Sequence, residues 1–238
     1  MIDLKNLPQT APEYDLSLLL EAGCHFGHQA QKWHPAMKPF IYMEKDGVHI
    51  FDLAQTAQQL QHAYNYAFDL GKKGKTLVMV GTKRQARDVI KNAAEDSGAL
   101  YITSRWLGGL LTNWEQVYKS LKRMLQIEEG LANGSYNAYT KFERVQLEKE
   151  QNRLMRFFSG IRTLKQRPDA IFIVDPGREK NVIKEATMLG IPLVALVDSN
   201  TDPRPVDIAI PANDDALSSI TLIVDAVAAG YKAGKMSK

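Results

Sequence analysis

Cysteine is the scarcest residue of this 238-residue chain, with Cys24 the single copy. That scarcity excludes an internal disulfide and any zinc site built from several thiolates, and it predicts a reducing compartment. Long apolar runs are missing too. No segment approaches the ~20 apolar residues needed to cross a bilayer. No N-terminal stretch joins a basic flank, an apolar run and a small-residue cleavage site. Internal repeats and low-complexity tracts are lacking. So are the Gly-x-x-x-x-Gly-Lys-Ser/Thr phosphate loop, the Gly-x-Gly-x-x-Gly fingerprint and a Ser nucleophile in a strained Gly-x-Ser-x-Gly turn. These absences predict a soluble, cytosolic protein with no membrane anchor, no cofactor and no small-molecule substrate.

What is present begins with charge, which is modest in sum and uneven in place. The formal net charge is +3. Between Thr112 and Arg167, however, eleven Lys and Arg face six Glu, an excess of five positive charges that leaves the remainder of the chain at −2. Cations concentrated on one sub-region are the footprint of a phosphate-backbone contact. A solvated helix face carries the same composition.

Apolar runs alternate with helical patterns in the manner of a parallel sheet covered by crossover helices. Leu77 to Val80, Ile171 to Val174 and Leu193 to Val197 lack polar alternation, so they are expected buried on both faces, as in a doubly wound α/β sheet. Phe40 to Met43 and Val48 to Phe51 flank an Asp46-Gly47 hairpin signal. Helices are expected over Leu53 to Leu70, from Gly81-Thr82-Lys83 to Ser97, over Lys180 to Leu189, and from Asp214 to Ala229. Two further strands are expected at Ala99 to Ile102 and Val206 to Ile210. The basic segment breaks this rhythm. Trp114, Val117, Leu121, Met124 and Leu125 mark one helix, and Leu147, Leu154 and Ile161 recur every seven residues on another. The expected organisation is a first part of the α/β domain at 1–111, an inserted antiparallel helical hairpin at 112–167, and a second part of the α/β domain at 168–238.

Thr103-Ser104-Arg105-Trp106-Leu107-Gly108-Gly109-Leu110-Leu111-Thr112-Asn113 lies where the hairpin would join the sheet. Two readings stand: Arg105 gripping phosphate beside a stacking Trp106, or a core tryptophan next to a Gly-Gly turn. Cys24-His25-Phe26-Gly27-His28 invites a metal through the spacing of His25 and His28; a polar turn is the alternative. With Lys32, Trp33, His34 and Lys38 it also offers a basic, aromatic surface for RNA. Thr82, Lys83 and Arg84 follow a strand where anions bind at a helix start, or else Thr82 caps that helix. Asp175 and Asp198 end strands where α/β enzymes place catalytic groups. Asp214-Asp215 reads as a carboxylate pair in the first turn of a helix. An enzyme using Asp175, Asp198 and Thr82, and an adaptor that docks another helix, are the rivals to RNA binding.

A series of blocks in fixed order resembles the family of small ribosomal subunit protein two, of the bacterial and organellar type. They are Leu20 to Gln29, Trp33 to Ile41, Val80 to Arg84, Arg105 to Asn113, Pro168 to Asp175, Glu185-Ala186 with Leu189 to Pro192, Val197 to Pro203, and Ile210 to Ala216. The resemblance implies a flavodoxin-like sheet with an inserted helical coiled-coil arm, no enzymatic activity, and a place on small-subunit rRNA between head and body. It also implies partners among neighbouring ribosomal proteins, including the large OB-fold ribosomal protein one. RNA contacts are expected from His25, His28, Lys32, Trp33, Lys38, Lys83, Arg84, Arg105 and Trp106, with the arm cations adding salt-dependent affinity. The chain departs from the family pattern at Cys24, Ala212 and Gly177-Arg178-Glu179. The last departure counts against RNA contact by the loop after Asp175.

Overall fold

The structure is a computed structural model that describes residues 2–237. Five parallel strands form its centre: β4 (Leu77–Val80), β5 (Leu100–Ile102), β6 (Ala170–Val174), β7 (Leu193–Val197) and β8 (Ile208–Pro211), in the order β5-β4-β6-β7-β8. Counted within that sheet the order is 2-1-3-4-5, which is the flavodoxin-like one. Its direction of growth reverses between β4 and β6. Every residue of β4, β6 and β7 is buried, as the unbroken apolar runs require when helices cover both faces.

Alternate strand residues divide the core into two layers. Met79, Phe172, Leu196 and Ile210 face one layer, against Leu19 of α1 (Leu16–Glu21), Leu60 and Leu70 of α2 (Leu53–Lys72), Ile90 of α3 (Arg87–Ser97) and Ile223 of α7 (Leu217–Met236). Val80, Ile173 and Val197 face the other, against Val182 and Ala186 of α6 (Lys180–Leu189) and the segment Trp106, Leu110, Leu111. Helices α2 and α7 approach closely at Gly234, where an added Cβ would lie 2.0 Å from the Phe68 carbonyl oxygen.

A second, antiparallel sheet packs three strands in the order β1-β3-β2: β1 (Phe26–Gln29), β2 (Ile41–Lys45) and β3 (Val48–Phe51). The Asp46-Gly47 turn joins β2 to β3 with both residues at positive φ, 52° and 74°, the geometry that a two-residue hairpin needs. Strand β1 lies within the segment expected as a polar turn. It lacks apolar alternation and is recruited by pairing Phe26 with Ile50 and Gln29 with Val48. Two helix starts also move. Residues 83–86 turn first, with Ala86 N–H donating to the Lys83 carbonyl, so α3 begins at Arg87 rather than Gly81. At the last helix, Asn213 Oδ1 accepts from Asp215 N and Ala216 N. That turn delays α7 to Leu217 and frees Asp214-Asp215 from the expected capping role.

After β5 the chain forms α4 (Trp114–Ala132) and α5 (Lys141–Phe158). Thr140 and Glu143 close a reciprocal capping box at the start of α5, the sequence signature Thr-x-x-Glu. Val117, Leu121, Met124 and Ile127 form the buried face of α4. Arg123 meets Glu150 at 3.0 Å, and Arg162, just past α5, meets Glu128 at 2.8 Å.

Candidate nucleic-acid interface

The loops that leave the carboxyl ends of the parallel strands gather most of the chemistry, as the crevice rule for open α/β sheets leads one to expect. The loop after β5 is organised by one side chain on α6. Glu185 Oε1 accepts from Trp106 Nε1 at 3.0 Å and Gly109 N at 2.8 Å. Its Oε2 accepts from Leu111 N at 2.9 Å and from Thr112 N and Oγ1 at 3.2 and 3.3 Å. Burial pushes this carboxyl up, but the bonds from Trp106, Leu111, Gly109 and Thr112 outweigh it and leave its pKa below the usual value. Gly109 sits at φ +87°, a left-handed conformation that glycine adopts without strain. Trp106 is 4% exposed. The buried reading of the tryptophan is therefore the one the fold adopts, and in this conformation its indole presents no face for stacking on a base.

A second cluster joins the His25-Phe26-Gly27-His28 segment to the loops after β4, β7 and β8. His28 Nδ1 lies 2.9 Å from Asp198 and its Nε2 3.5 Å from Asp215. Lys83 Nζ lies 2.6 Å from both Asp214 and Asp215. The hydrogen bond with Asp198 raises the His28 pKa against the effect of burial, helped by the nearby Asp214 and Asp215. Burial opposes the Lys83 charge, but its bonds to Asp214 and Asp215 prevail and raise its pKa. Asp214 is pushed up to about 7 by burial and by Asp198 and Asp175, with Lys83 working against that rise. The ammonium that was expected to meet phosphate thus faces inward onto two carboxylates. His28, Asp198 and Asp214 each offer one ligand atom within 4.8 Å of the others, so a metal would draw on His28 with two distant aspartates and not on Cys24 or His25. The His25 ring instead packs on Phe26 with centroids 3.9 Å apart.

The remaining candidates are more open. Lys32, Lys38, Arg84 and Arg105 are exposed, and among the described residues none of them makes an ion pair. Trp33 is half-buried against His49, ring centroids 5.1 Å apart. Arg84 borders a groove of about 630 Å³ between α3 and α7, away from Arg105. Arg105 lines a different cavity, of about 370 Å³, together with Arg178. Glu185 carries no role in the sequence pattern beyond its place in the Glu185-Ala186 block, and the convergence of His28 and Asp214 on Asp198 has no local signal. The signal for Glu185 is a lone acid on the apolar face of α6, flanked in the core by Val182 and Ala186.

With this geometry in view, comparison with known proteins decides the family. The family described as Ribosomal protein S2 matches residues 19–234, which spans both parts of the sheet and the helices between them. The chain belongs to the ribosomal protein S2 family. Among curated S2 relatives, the small ribosomal subunit protein uS2 of a Picosynechococcus species is 45% identical over 224 residues, covering 94% of this chain and 88% of the relative. S2 proteins are structural constituents of a ribonucleoprotein that serves translation. Among the described residues, no helix is long and apolar enough to cross a membrane.

Proposed function

We propose that the chain is a non-catalytic constituent of the small ribosomal subunit that binds small-subunit rRNA, supports subunit assembly and helps to recruit a neighbour, the large OB-fold ribosomal protein one. The observation that carries the RNA contact is the sorting of cations. Lys83 is neutralised by carboxylates, whereas Lys32, Lys38, Arg84 and Arg105 stand exposed and unpaired. Unpaired surface cations in a ribosomal protein are available to displace counterions from phosphates. His25, His28 and Trp33 belong to the same proposed surface as Lys32 and Lys38, and Trp106, buried and bonded to Glu185, anchors the loop that carries Arg105. Helices α4 and α5 act as an antiparallel arm at 112–167; the Arg123–Glu150 and Arg162–Glu128 pairs support that reading, and exposed Lys119, Arg144, Lys149 and Arg153 supply its charge.

Binding to small-subunit rRNA, measured across a potassium chloride series, tests the reading. Each exposed cation that neutralises a phosphate contributes ~0.7 to 0.9 to the slope of log affinity against log salt. Replacing Lys32 and Lys38 together by Ala is expected to lower that slope by roughly 1.4 to 1.8. An unchanged slope with retained fold would remove the β1 surface from the interface.

A further inference from the structure

The cavity shared by Arg105 and Arg178 lies where the sheet reverses its direction of growth. Thr82 comes from the loop after β4, Ser104 and Arg105 from the loop after β5, and Arg178 from the loop after β6. Asn181 opens from the first turn of α6. Two features set the cavity apart from the rest of the carboxyl edge. Both guanidinium groups are on exposed residues, and among the described residues neither is in an ion pair, although the Arg178 charge acts on the buried Glu179. The floor, by contrast, is formed by groups already engaged: Thr82 Oγ1 donates to the buried Glu179, and Trp106 Nε1 donates to Glu185.

We infer that this cavity receives one unstacked nucleotide of the bound RNA, its phosphate gripped between Arg105 and Arg178 and its base directed toward Ser104, Asn181 and the Glu179 floor. The inference rests on the RNA-binding reading above and deepens it. A nucleotide suits this cavity better than a bare anion. A cavity of about 370 Å³ falls at the lower end of the range for ligand pockets, ~300 to 1,000 Å³, and far exceeds what an inorganic phosphate fills. A carboxyl group on the floor disfavours an anion at depth but accepts the N–H groups of a base edge. Cations at the rim suit the phosphate, and guanidinium groups match its oxygens in forked geometry. The α6 N-terminus adds positive potential there, since Glu179 makes no side-chain capping bond to the first turn. RNA-binding proteins commonly take unstacked bases from single-stranded loops in this way. Arg178 therefore enters the interface from the very loop whose sequence had counted against RNA contact.

A double-mutant cycle on the full-length chain tests the inference. Arg105→Ala, Arg178→Ala and the double variant are compared with wild type for binding to small-subunit rRNA across salt, with thermal melts confirming the fold. Each single variant is expected to lose roughly tenfold in affinity, and the double variant ~0.7 to 0.9 of salt slope, the share of the one phosphate that the pair holds. The double variant is expected to lose clearly less than the product of the two, because both arginines hold one phosphate. Arg204→Ala is the control, since that guanidinium is exposed but already paired with Asp202 at 2.8 Å, and it is expected to bind as wild type. Wild-type binding with unaffected or strictly multiplicative variants overturns the shared-phosphate pocket and leaves the ribosomal reading standing. Failure of the wild type to bind rRNA overturns both. Uridine 5′-monophosphate is the free probe, followed by the indole N–H resonance of Trp106. Micromolar binding of that probe without competition from rRNA would overturn the assignment to an RNA nucleotide.

Discussion

Glu185 ties α6 to the loop after β5, and its replacement by Gln tests how that loop is held. Glu185 is 8% exposed, and its carboxylate receives five hydrogen bonds, two on one oxygen and three on the other. An amide of the same shape keeps one acceptor oxygen and turns an NH2 group toward donors. In either orientation, the partners of one oxygen then lose their acceptor. If the amide oxygen faces Trp106 and Gly109, the N–H groups of Leu111 and Thr112 are orphaned. If it faces the other way, the indole and Gly109 are. Each buried donor left unsatisfied costs about 1–3 kcal/mol. With partial relief from water at exposed Thr112, Glu185→Gln is expected to destabilise the protein by about 2–4 kcal/mol. Glu185→Ala, which removes every acceptor and opens a cavity, is expected to cost about 3–5 kcal/mol.

Urea denaturation followed by tryptophan fluorescence measures this loss, and near-ultraviolet circular dichroism reports whether Trp106 keeps its place. The pH dependence supplies a second signature. The folded-state pKa of Glu185 is lowered from its usual 4.5, so its contribution is complete above about pH 4.5 and is lost as pH falls through the folded value. The gap in stability between wild type and Glu185→Gln must therefore narrow on acidification below that point. A Gln variant within about 0.5 kcal/mol of wild type at pH 7, or a gap that widens in acid, would refute the claim that the charged carboxylate organises this loop.

Two further outcomes follow from the same geometry. Lys83→Met leaves the buried Asp214 facing Asp198 without its ammonium partner; because Asp214, already pushed up to about 7, takes up a proton in its place, the cost at pH 7 is expected to be about 1–3 kcal/mol. The salt slope of RNA binding by the folded variant should stay unchanged; full stability with a reduced slope would show that Lys83 meets phosphate after all. Gly109→Ala forces a Cβ into the left-handed conformation at φ +87° beside Asn113 Cβ at 3.3 Å and is expected to lose about 1–3 kcal/mol by thermal denaturation. At Gly108 nothing lies within 4 Å of an added Cβ, so Gly108→Ala should stay within about 0.5 kcal/mol; equal losses at both positions would contradict this division.

The parallel strands were legible because burial on both faces imposes a local composition: Ala170-Ile171-Phe172-Ile173-Val174 has no polar residue to place. The Asp46-Gly47 hairpin was legible for a similar reason, since positive φ at both turn residues restricts which side chains fit. Strand β1 was not, because Phe26-Gly27-His28-Gln29 becomes a strand only when β3 supplies pairing partners 19 and 24 residues away. Local residue type puts the start of the last helix at Asp214, whereas α7 starts at Leu217. Aspartates do favour the first turn of a helix, yet Asp214 is 1% exposed and is drawn inward by Lys83, 131 residues distant.

The same distinction between local and distant constraint sorts the candidate site. Residue type identified groups able to meet RNA, and type is all that local sequence carries. Whether a cation is free depends on which carboxylates the fold brings to it. Lys83 and Arg84 are adjacent in sequence, but one points at Asp214 and Asp215 while the other is exposed and unpaired. Arg105 and Trp106 divide in the same way, with the indole fixed by Glu185, 79 residues away, and the guanidinium exposed. In each pair one residue is used up in building the carboxyl edge and its neighbour is left available to a partner. Arg178 shows the converse, since its own motif gave it no RNA role and only the meeting of the loops after β4, β5 and β6 sets it opposite Arg105. On the proposed reading, an RNA interface on this fold is defined less by where its cations lie in the chain than by which of them the acidic loops leave unpaired.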